Sequence, residues 1–103
     1  SAAAGENEEH TKLYPAAAEI AEKEGFRDVA AAFRYIAKVE EQHEKRYKKL
    51  AENIEKNEVF KKTGKVKWVC RNCGYVHEGE GTPEKCPACL HEKAYFEIKA
   101  ENY

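Results

Sequence analysis

The sequence has no methionine, and its 103 residues include only six glycines, three prolines and one tryptophan. It also lacks any apolar run near the roughly 18 residues that a membrane-spanning helix requires, and nothing in it resembles a secretory signal. A net charge of −1 gives no basic surface of the kind that binds nucleic acid. These absences argue against a membrane or nucleic-acid partner and favour a cytoplasmic protein. The missing initiator methionine favours a processed chain or a piece of a longer protein.

Glycine, proline and cysteine are distributed unevenly along the chain. No glycine lies between Gly25 and Gly64, and the first half is rich in alanine, glutamate and lysine, which are strong helix formers. The remainder contains most of the glycines and prolines and every cysteine. This change in composition predicts a mainly α fold with two domains. Residues 1–60 form a helical domain, and residues 61–103 form a small β and loop domain that binds metal.

The helical domain is predicted to be an antiparallel helix pair. Helix one extends over about residues 2–23, and Gly25 supplies the left-handed residue that follows a helix end. Helix two begins near Asp28, a suitable capping or first-turn residue, and continues to about Lys56. Pro15 lies inside helix one and should bend it, because proline has no N–H to donate.

Each predicted helix carries a stripe of residues spaced alternately by four and three positions, as on the buried face of a helix bundle. In helix one the stripe comprises Ala2, Glu6, Glu9, Leu13, Ala16 and Ile20. In helix two the stripe comprises Val29, Phe33, Ile36, Glu40, His43, Tyr47, Leu50 and Ile54. Both stripes are apolar except for one patch in each. Counted from the turn, the two polar patches lie at similar distances, so they should face each other.

The polar patches consist of Glu6 and Glu9 in helix one and of Glu40 and His43 in helix two. A single charged residue on such a stripe would be interpreted as solvated, but burying several carboxylates is unfavourable unless a cation compensates them. A Glu-x-x-His pair presents an oxygen and an imidazole ligand on one helix face, which suits a transition metal. The four residues therefore supply about half of a carboxylate-bridged di-iron site.

The cysteines form two C-x-x-C pairs, Cys70 with Cys73 and Cys86 with Cys89. Each pair can direct two thiolates from one tight turn towards a common centre, and Gly74 suits the open backbone of such a turn. Four thiolates make a tetrahedral site for zinc or for a single iron, and the surrounding aromatic residues do not distinguish the two metals. Two disulfides are the alternative, but they fit poorly with a chain that otherwise looks cytoplasmic.

Four further residues adjoin these predicted sites. His10 could be a ligand or support one, but it is interpreted as a flanking residue. Tyr14 is either a core tyrosine with a satisfied hydroxyl or a residue with a role beside the metal. His77 and His91 lie near the cysteines, but four thiolates already complete a tetrahedral site, so both are predicted to be surface residues.

Three segments together resemble the C-terminal part of rubrerythrins: AAGENEEHTKLYP, VEEQHEKRY and KWVCRNCGYVHEGEGTPEKCPACLHEKAYFE. The resemblance covers nearly the whole chain. It implies half of a ferritin-like four-helix bundle with a di-iron centre, followed by a rubredoxin-like domain. The four cysteines would hold a rubredoxin-type iron, for which zinc can substitute.

The resemblance also implies a role for each residue of the helical site. Glu6 would bridge the two irons. Glu40 and His43 would bind one iron, and Glu9 would be the ligand whose coordination changes with redox state. Tyr14 would form a hydrogen bond beside the site.

The activity implied by the resemblance is the reduction of hydrogen peroxide to water at the di-iron centre, as a defence against oxidative stress. A reductase would deliver electrons through the rubredoxin-type iron. Two alternatives are a ferroxidase or iron-handling protein, and an electron-carrier or zinc-ribbon module whose helices only oligomerise. The first two bundle helices of the family are missing from this sequence. A homodimer, a separate chain or the rest of a longer protein would complete the site.

Overall fold

The computed structural model describes all 103 residues and divides into two compact units, Ser1–Glu52 and Asn53–Tyr103. The first unit is helical, and the second contains a three-stranded antiparallel sheet and four clustered cysteines. The predicted fold class, an antiparallel helix pair followed by a small four-cysteine β domain, is confirmed. The predicted limits, residues 1–60 and 61–103, stay a prediction. None of the helices combines the length and apolar character that a membrane span requires.

The predicted first helix is helical throughout but is not regular. It consists of α1, Ala2–Glu8, a π-helical segment, Glu9–Leu13, and α2, Tyr14–Lys23. At the end of the π-helical segment the N–H of Tyr14 donates to the carbonyl of Glu9, five residues back instead of four. Pro15 is the next residue and has no N–H to donate. The change from α-helical to π-helical hydrogen bonding therefore occurs beside a position where a helical hydrogen bond is already missing. The irregularity expected from Pro15 therefore includes a wider turn that precedes it.

The second helix, α3, extends over Arg27–Glu55, within one residue of the predicted limits at both ends. Gly25 after α2 has a φ of 84°, as predicted for this turn, and Asn57 after α3 has a φ of 56°. In each turn a backbone N–H donates to a carbonyl five residues back, at 2.8 Å after α2 and 2.7 Å after α3. This hydrogen bond is typical of helices that end in a left-handed residue.

Side-chain pairs show that the two helices are antiparallel. Near the turn the guanidinium of Arg34 contacts the carboxylate of Glu22. Far from the turn the imidazole of His10 contacts the carboxylate of Glu44. The apolar residues buried in this unit are Ala18, Ala21 and Ala30. Their small side chains let the two backbones approach closely.

The stripe predicted to be the buried face of α3 is largely exposed. Val29 is 46% exposed, Leu50 is 47% exposed and Ile54 is 71% exposed. The two helices pack through their alanines and through part of the stripe, where Phe33 meets Tyr14 of the first helix. The remaining apolar side chains of the stripe are exposed. The stripe stays a predicted face for the other half of a bundle, because the two helices of this chain leave most of it uncovered.

The second unit is built on a sheet with the order β2-β1-β3, in which both pairings are antiparallel. The strands are β1, Lys61–Cys70, β2, Val76–Gly81, and β3, Phe96–Ile98, with a 3₁₀ turn, Lys93–Tyr95, before β3. The core cluster comprises Trp68, Cys70, Cys86 and Phe96. The indole N–H of Trp68 donates to the carbonyl of Gly79 at 3.1 Å, which satisfies the one polar atom of this buried ring. Two of the four cysteines are thus part of the core itself.

Candidate metal centres

The structure brings all four predicted cysteine ligands together, with their Sγ atoms within 4.8 Å of one another. The Sγ atoms of Cys70 and Cys89 are 3.7 Å apart, and those of Cys73 and Cys86 are 3.6 Å apart. Four thiolates bound to one metal ion at about 2.3 Å in a tetrahedron would be about 3.8 Å apart. The cysteines are free thiols, not disulfides. Their separations therefore fit a single four-coordinate ion.

Two similar turns present these thiols. In each turn the residue after the second cysteine donates its N–H to the carbonyl of the first cysteine, from Gly74 to Cys70 and from Leu90 to Cys86, both at 2.8 Å. Gly74 has a φ of 87° and Leu90 a φ of 67°. The role of Gly74 was predictable from its lack of a side chain. The equivalent role of Leu90 was missed, because leucine gives no sequence signal for a left-handed conformation.

The local environment shifts the pKa values of Cys73 and Cys89 in opposite directions. The backbone N–H of His91 donates to Cys89 and, together with the side chain of Asn72, lowers the pKa of Cys89 to about 6 despite its burial. A backbone N–H from Tyr75 also reaches Cys73, but partial loss of water around its sulfur and hydrogen bonds with the other three thiols raise the pKa of Cys73 to about 12. Cys89 is therefore the thiol that ionises more readily, and metal binding must displace the proton of Cys73.

The two histidines near the cysteines are half-buried. The Nδ1 atom of His91 lies 3.2 Å from the side-chain nitrogen of Asn72, and its ring meets Tyr95 edge-on with centroids 4.6 Å apart. His77 lies opposite Trp68 in the pairing of β1 with β2. Neither histidine belongs to the cysteine cluster. Because both are half-buried, the prediction that they are surface residues is correct only in part. His91 also supports the cluster through its backbone N–H.

A second cluster of ligand atoms joins α1 to α3. One ligand atom from each of Glu6, Glu40 and His43 lies within 4.8 Å of the others. The Nδ1 atom of His43 is 3.2 Å from Oε2 of Glu40 and 3.6 Å from Oε2 of Glu6. The Oε2 atom of Glu6 is buried and has no hydrogen-bond partner. Such an orphaned acceptor is unfavourable, and a bound cation would satisfy it. The residues therefore fit a metal ion.

The carboxylates of this cluster affect one another strongly. A hydrogen bond shared with Glu40, followed by burial and repulsion from Glu40, raises the pKa of Glu6 to about 7. A hydrogen bond with Glu40 is also the main cause that raises the pKa of Glu9. The bond with Glu6 and further bonds with Glu9 and His43 hold the pKa of Glu40 below its ordinary value. Glu9 thus reaches the cluster through Glu40, although it is not among the three residues whose ligand atoms converge.

The remaining predicted site residue, Tyr14, packs against Phe33 of α3, with ring centroids 5.9 Å apart. This contact places Tyr14 between the helices. Its hydrogen bond beside the metal stays a prediction.

A polar network next to the carboxylate cluster was missed by the sequence reasoning. His10, interpreted as a flanking residue, has its Nε2 atom 2.9 Å from Oε2 of Glu44. Bonds from Lys48, Asn7 and His10 lower the pKa of Glu44 to about 2. The sequence gives one faint signal for this pair. His10 directly follows Glu9, and Glu44 directly follows His43.

Comparison with known families gives two matches along the chain. The family model described as "Rubrerythrin" matches residues 1–69, and the model described as "Rubrerythrin, rubredoxin-like domain" matches residues 68–97. The chain belongs to the rubrerythrin family. The resemblance inferred from the motifs is therefore confirmed. The rubrerythrin domain is a di-iron domain, and a rubredoxin-like domain with four clustered cysteines fits an Fe(Cys)₄ centre.

Individual rubrerythrins match over the whole chain. Rubrerythrin-1 of Clostridium acetobutylicum is 60% identical over 103 residues, which is 100% of this chain and 53% of that protein. Rubrerythrin of Porphyromonas gingivalis is 56% identical over 103 residues, which is 100% of this chain and 52% of that protein. The solved structure "Partially Reduced State of Nigerythrin" matches with a TM-score of 0.52 and 32% identity, over 96% of this chain and 46% of that chain. The chain thus spans about half the length of these relatives and carries half of the ferritin-like domain.

Proposed function

We propose that this rubrerythrin chain is part of a non-haem di-iron peroxidase that reduces hydrogen peroxide to water. The reaction consumes one H₂O₂, two electrons and two protons and releases two molecules of water. The observation that carries the proposal is the presence of two ligand clusters in one chain, one of thiols and one of carboxylates with an imidazole. Thiolates suit a one-electron iron carrier, and the second ligand set suits a carboxylate-bridged metal pair.

Each residue of the carboxylate cluster has a proposed role. Glu6, Glu40 and His43 would hold the iron, with Glu6 as the bridging carboxylate. Glu9 would join them from the π-helical segment when the redox state changes. When bound, the di-iron centre supplies the electrons for cleavage of the oxygen–oxygen bond. The protein supplies the ligands and their orientation, and any proton held by Glu6 must leave as metal enters.

Electrons would enter through the cysteine cluster. Cys70 and Cys86 are buried, whereas Cys73 is exposed and Cys89 is half-buried. One side of this cluster is therefore accessible to an electron donor, for which we propose a reductase. An iron held by four thiolates carries one electron at a time, and each peroxide consumes two, so the donor must act repeatedly.

The carboxylate cluster requires a second set of ligands. This chain supplies one Glu-x-x-His pair, whereas a ferritin-like di-iron site takes two such pairs. We propose that a second copy of this chain or the additional half found in its relatives supplies the other pair. The exposed stripe of α3 supports this proposal, because residues such as Leu50 and Ile54 need a covering surface. Cysteines that are arranged as metal ligands and are not paired in disulfides support a cytoplasmic location.

Peroxide consumption by the assembled, iron-loaded protein with a reductant tests the proposed activity. The variants Glu40→Ala and His43→Ala should lower the rate by more than about 100-fold, because loss of a ligand exceeds the roughly 10- to 100-fold effect of residues around ligands. Glu41→Ala is the matched control, because Glu41 pairs with Lys45 at 3.4 Å outside the cluster. Equal rates for the wild type and the ligand variants would overturn the proposal.

The two alternative functions predict different variant effects. A ferroxidase would oxidise Fe²⁺ with O₂ and accumulate mineral, and it would stay active after Cys86→Ser. The function of an electron-carrier or zinc-ribbon module would not change on loss of Glu40 or His43. The peroxidase requires both clusters at once, so loss of turnover in all three variants distinguishes it from the alternatives.

A further inference from the structure

The proposed metal ligands do not by themselves explain why residues Glu9–Leu13 form a π-helical segment. π-Helical turns are rare interruptions of α-helices and are often found at functional sites. Glu9 begins this segment and reaches the carboxylate cluster through Glu40. The position of Glu9 therefore depends on how the segment is held against α3.

A largely buried hydrogen bond connects the segment to α3. His10, the residue after Glu9, has its Nε2 atom 2.9 Å from Oε2 of Glu44. The two side chains are only 19% and 11% exposed. Glu44 directly follows His43. The bond therefore joins the residue after Glu9 to the residue after His43, and both Glu9 and His43 are proposed ligands.

Both carboxylate oxygens of Glu44 have hydrogen-bond partners within the protein. Its Oε2 atom meets His10, and its Oε1 atom accepts a hydrogen bond from Lys48 at 2.7 Å. It is also the one charged residue that is buried in this chain. A buried carboxylate is tolerated only when it is hydrogen-bonded, and well-packed apolar residues often stabilise a protein as well or better. A role in fixing geometry explains the pair better than a contribution to stability alone.

We propose that His10 and Glu44 form a positioning pair that holds the π-helical segment in register and thereby places Glu9 at the carboxylate cluster. This inference rests on the proposal that the cluster binds metal, but it is independent of peroxidase activity. If the segment relaxed to a regular α-helix, the parts of the helix before and after it would turn relative to each other by about 100°, the rotation of one residue. Glu9 would then leave the cluster.

Cobalt(II) titration of the full chain, with its cysteine centre already filled by iron, provides the first test. His10→Ala should weaken cobalt binding at the carboxylate cluster by about tenfold or more, as expected for residues that orient metal ligands. Glu44→Gln keeps a hydrogen-bond acceptor for His10 and should retain most of the wild-type affinity. The matched control is Arg34→Ala, which removes another pair between the helices, that with Glu22 near the turn. Its affinity should stay within about twofold of the wild type.

Amide hydrogen exchange of the metal-free chain provides a second test that does not depend on metal binding. His10→Ala should accelerate exchange across Glu9–Leu13 by about tenfold or more, while Arg34→Ala should leave this segment unchanged. Unchanged exchange or unchanged affinity in His10→Ala would overturn the inference. An equal loss of affinity in Arg34→Ala would also overturn it, because the pair would then only stabilise the helix pair. If the wild type binds no cobalt outside the cysteines, the proposed metal site itself fails, and exchange alone decides whether the pair holds the segment.

Discussion

The carboxylate of Glu6 is unfavourable in the metal-free chain, but it is suited to binding a metal ion. Its Oε2 atom is buried without a hydrogen-bond partner, and its neighbour Glu40 raises its pKa to about 7. Above that pH both carboxylates are charged and repel each other when no metal is bound. We therefore predict that Glu6→Gln raises the thermal midpoint of the metal-free chain at pH 8 and weakens metal binding. Calorimetry and cobalt titration of the same samples measure both effects.

The control for this prediction is Glu41→Gln, which removes a carboxylate of the same helix that pairs with Lys45. This variant should change neither the midpoint nor cobalt binding appreciably. A lower midpoint for Glu6→Gln would contradict the prediction, because it would show that Glu6 stabilises the metal-free chain.

Leu90 and Gly74 allow a second prediction at the residue scale. Both have positive φ, but Leu90 is 72% exposed, so its side chain contributes little burial. A left-handed conformation disfavours a residue with a Cβ atom by about 1–2 kcal/mol, partly offset by the greater flexibility of unfolded glycine. Leu90→Gly should therefore stabilise the second unit by up to about 1 kcal/mol. Denaturant unfolding of the metal-bound protein, followed by Trp68 fluorescence, measures this change.

Gly74→Ala is the matched opposite substitution. A Cβ atom at Gly74 would meet nothing within 4 Å, so any loss of stability comes from the backbone conformation alone. We expect a loss of about 1 kcal/mol. Effects of the same sign in Gly74→Ala and Leu90→Gly would contradict the equivalence of the two turns.

At the scale of elements, the contact between α2 and α3 near their turn should depend on pH. A hydrogen bond from Arg34 is the main cause that lowers the pKa of Glu22 below its ordinary value of 4.5. A carboxylate with a depressed pKa contributes stability above its unfolded pKa and loses it as the pH falls through the folded pKa. Both side chains are about half exposed, so solvent weakens the effect. Glu22→Gln should lower the thermal midpoint by a few degrees at pH 7, and the difference should shrink as the pH falls below 4.5.

The limits of α3 could be predicted because they depend on local residues, such as the left-handed Gly25 before it. The π-helical segment could not, because proline forbids one hydrogen bond but does not specify which register the preceding turn adopts. The alanine contact between α2 and α3 could not be predicted either. A heptad spacing shows that a face is apolar, whereas the neighbouring helix decides whether that face or an alanine face is buried.

The proposed metal ligands were accessible from sequence because their spacing is short. C-x-x-C and Glu-x-x-His each place two ligands in one turn, so the pattern itself carries the chemistry. His10 and Glu44 are 34 positions apart, and only the packing of the two helices brings them together. Such long-range pairs have no spacing rule to reveal them.

At the scale of the whole molecule, the two units should respond differently to metal removal. The core of Asn53–Tyr103 is a small cluster around Trp68, Cys70, Cys86 and Phe96, which is too small to stabilise a domain without its metal. Chelation under reducing conditions should therefore unfold this unit. Because Trp68 is the only tryptophan and is 1% exposed, its emission should shift to longer wavelength. Most helical circular dichroism should remain, and an unshifted emission would contradict the prediction.

The exposed stripe of α3 predicts association of the chain with itself when no other half is supplied. Ile36 and Leu50 are 36% and 47% exposed, and an apolar face of this kind marks an interaction surface. Ile36→Lys combined with Leu50→Lys should lower the average mass in sedimentation equilibrium. Tyr35→Lys is the control, because Tyr35 is 68% exposed but lies off the stripe.

Iron content then shows whether this association completes the site. Two copies that share one di-iron centre would hold about two irons per chain, one at the cysteines and one as half of the shared pair. The Ile36→Lys, Leu50→Lys variant should fall to about one iron per chain and keep the thiolate spectrum, because the stripe lies outside the cysteine cluster. A wild-type chain that associates yet holds only about one iron would show that a second copy does not complete the site. The missing ligands would then have to come from the other half of the ferritin-like domain.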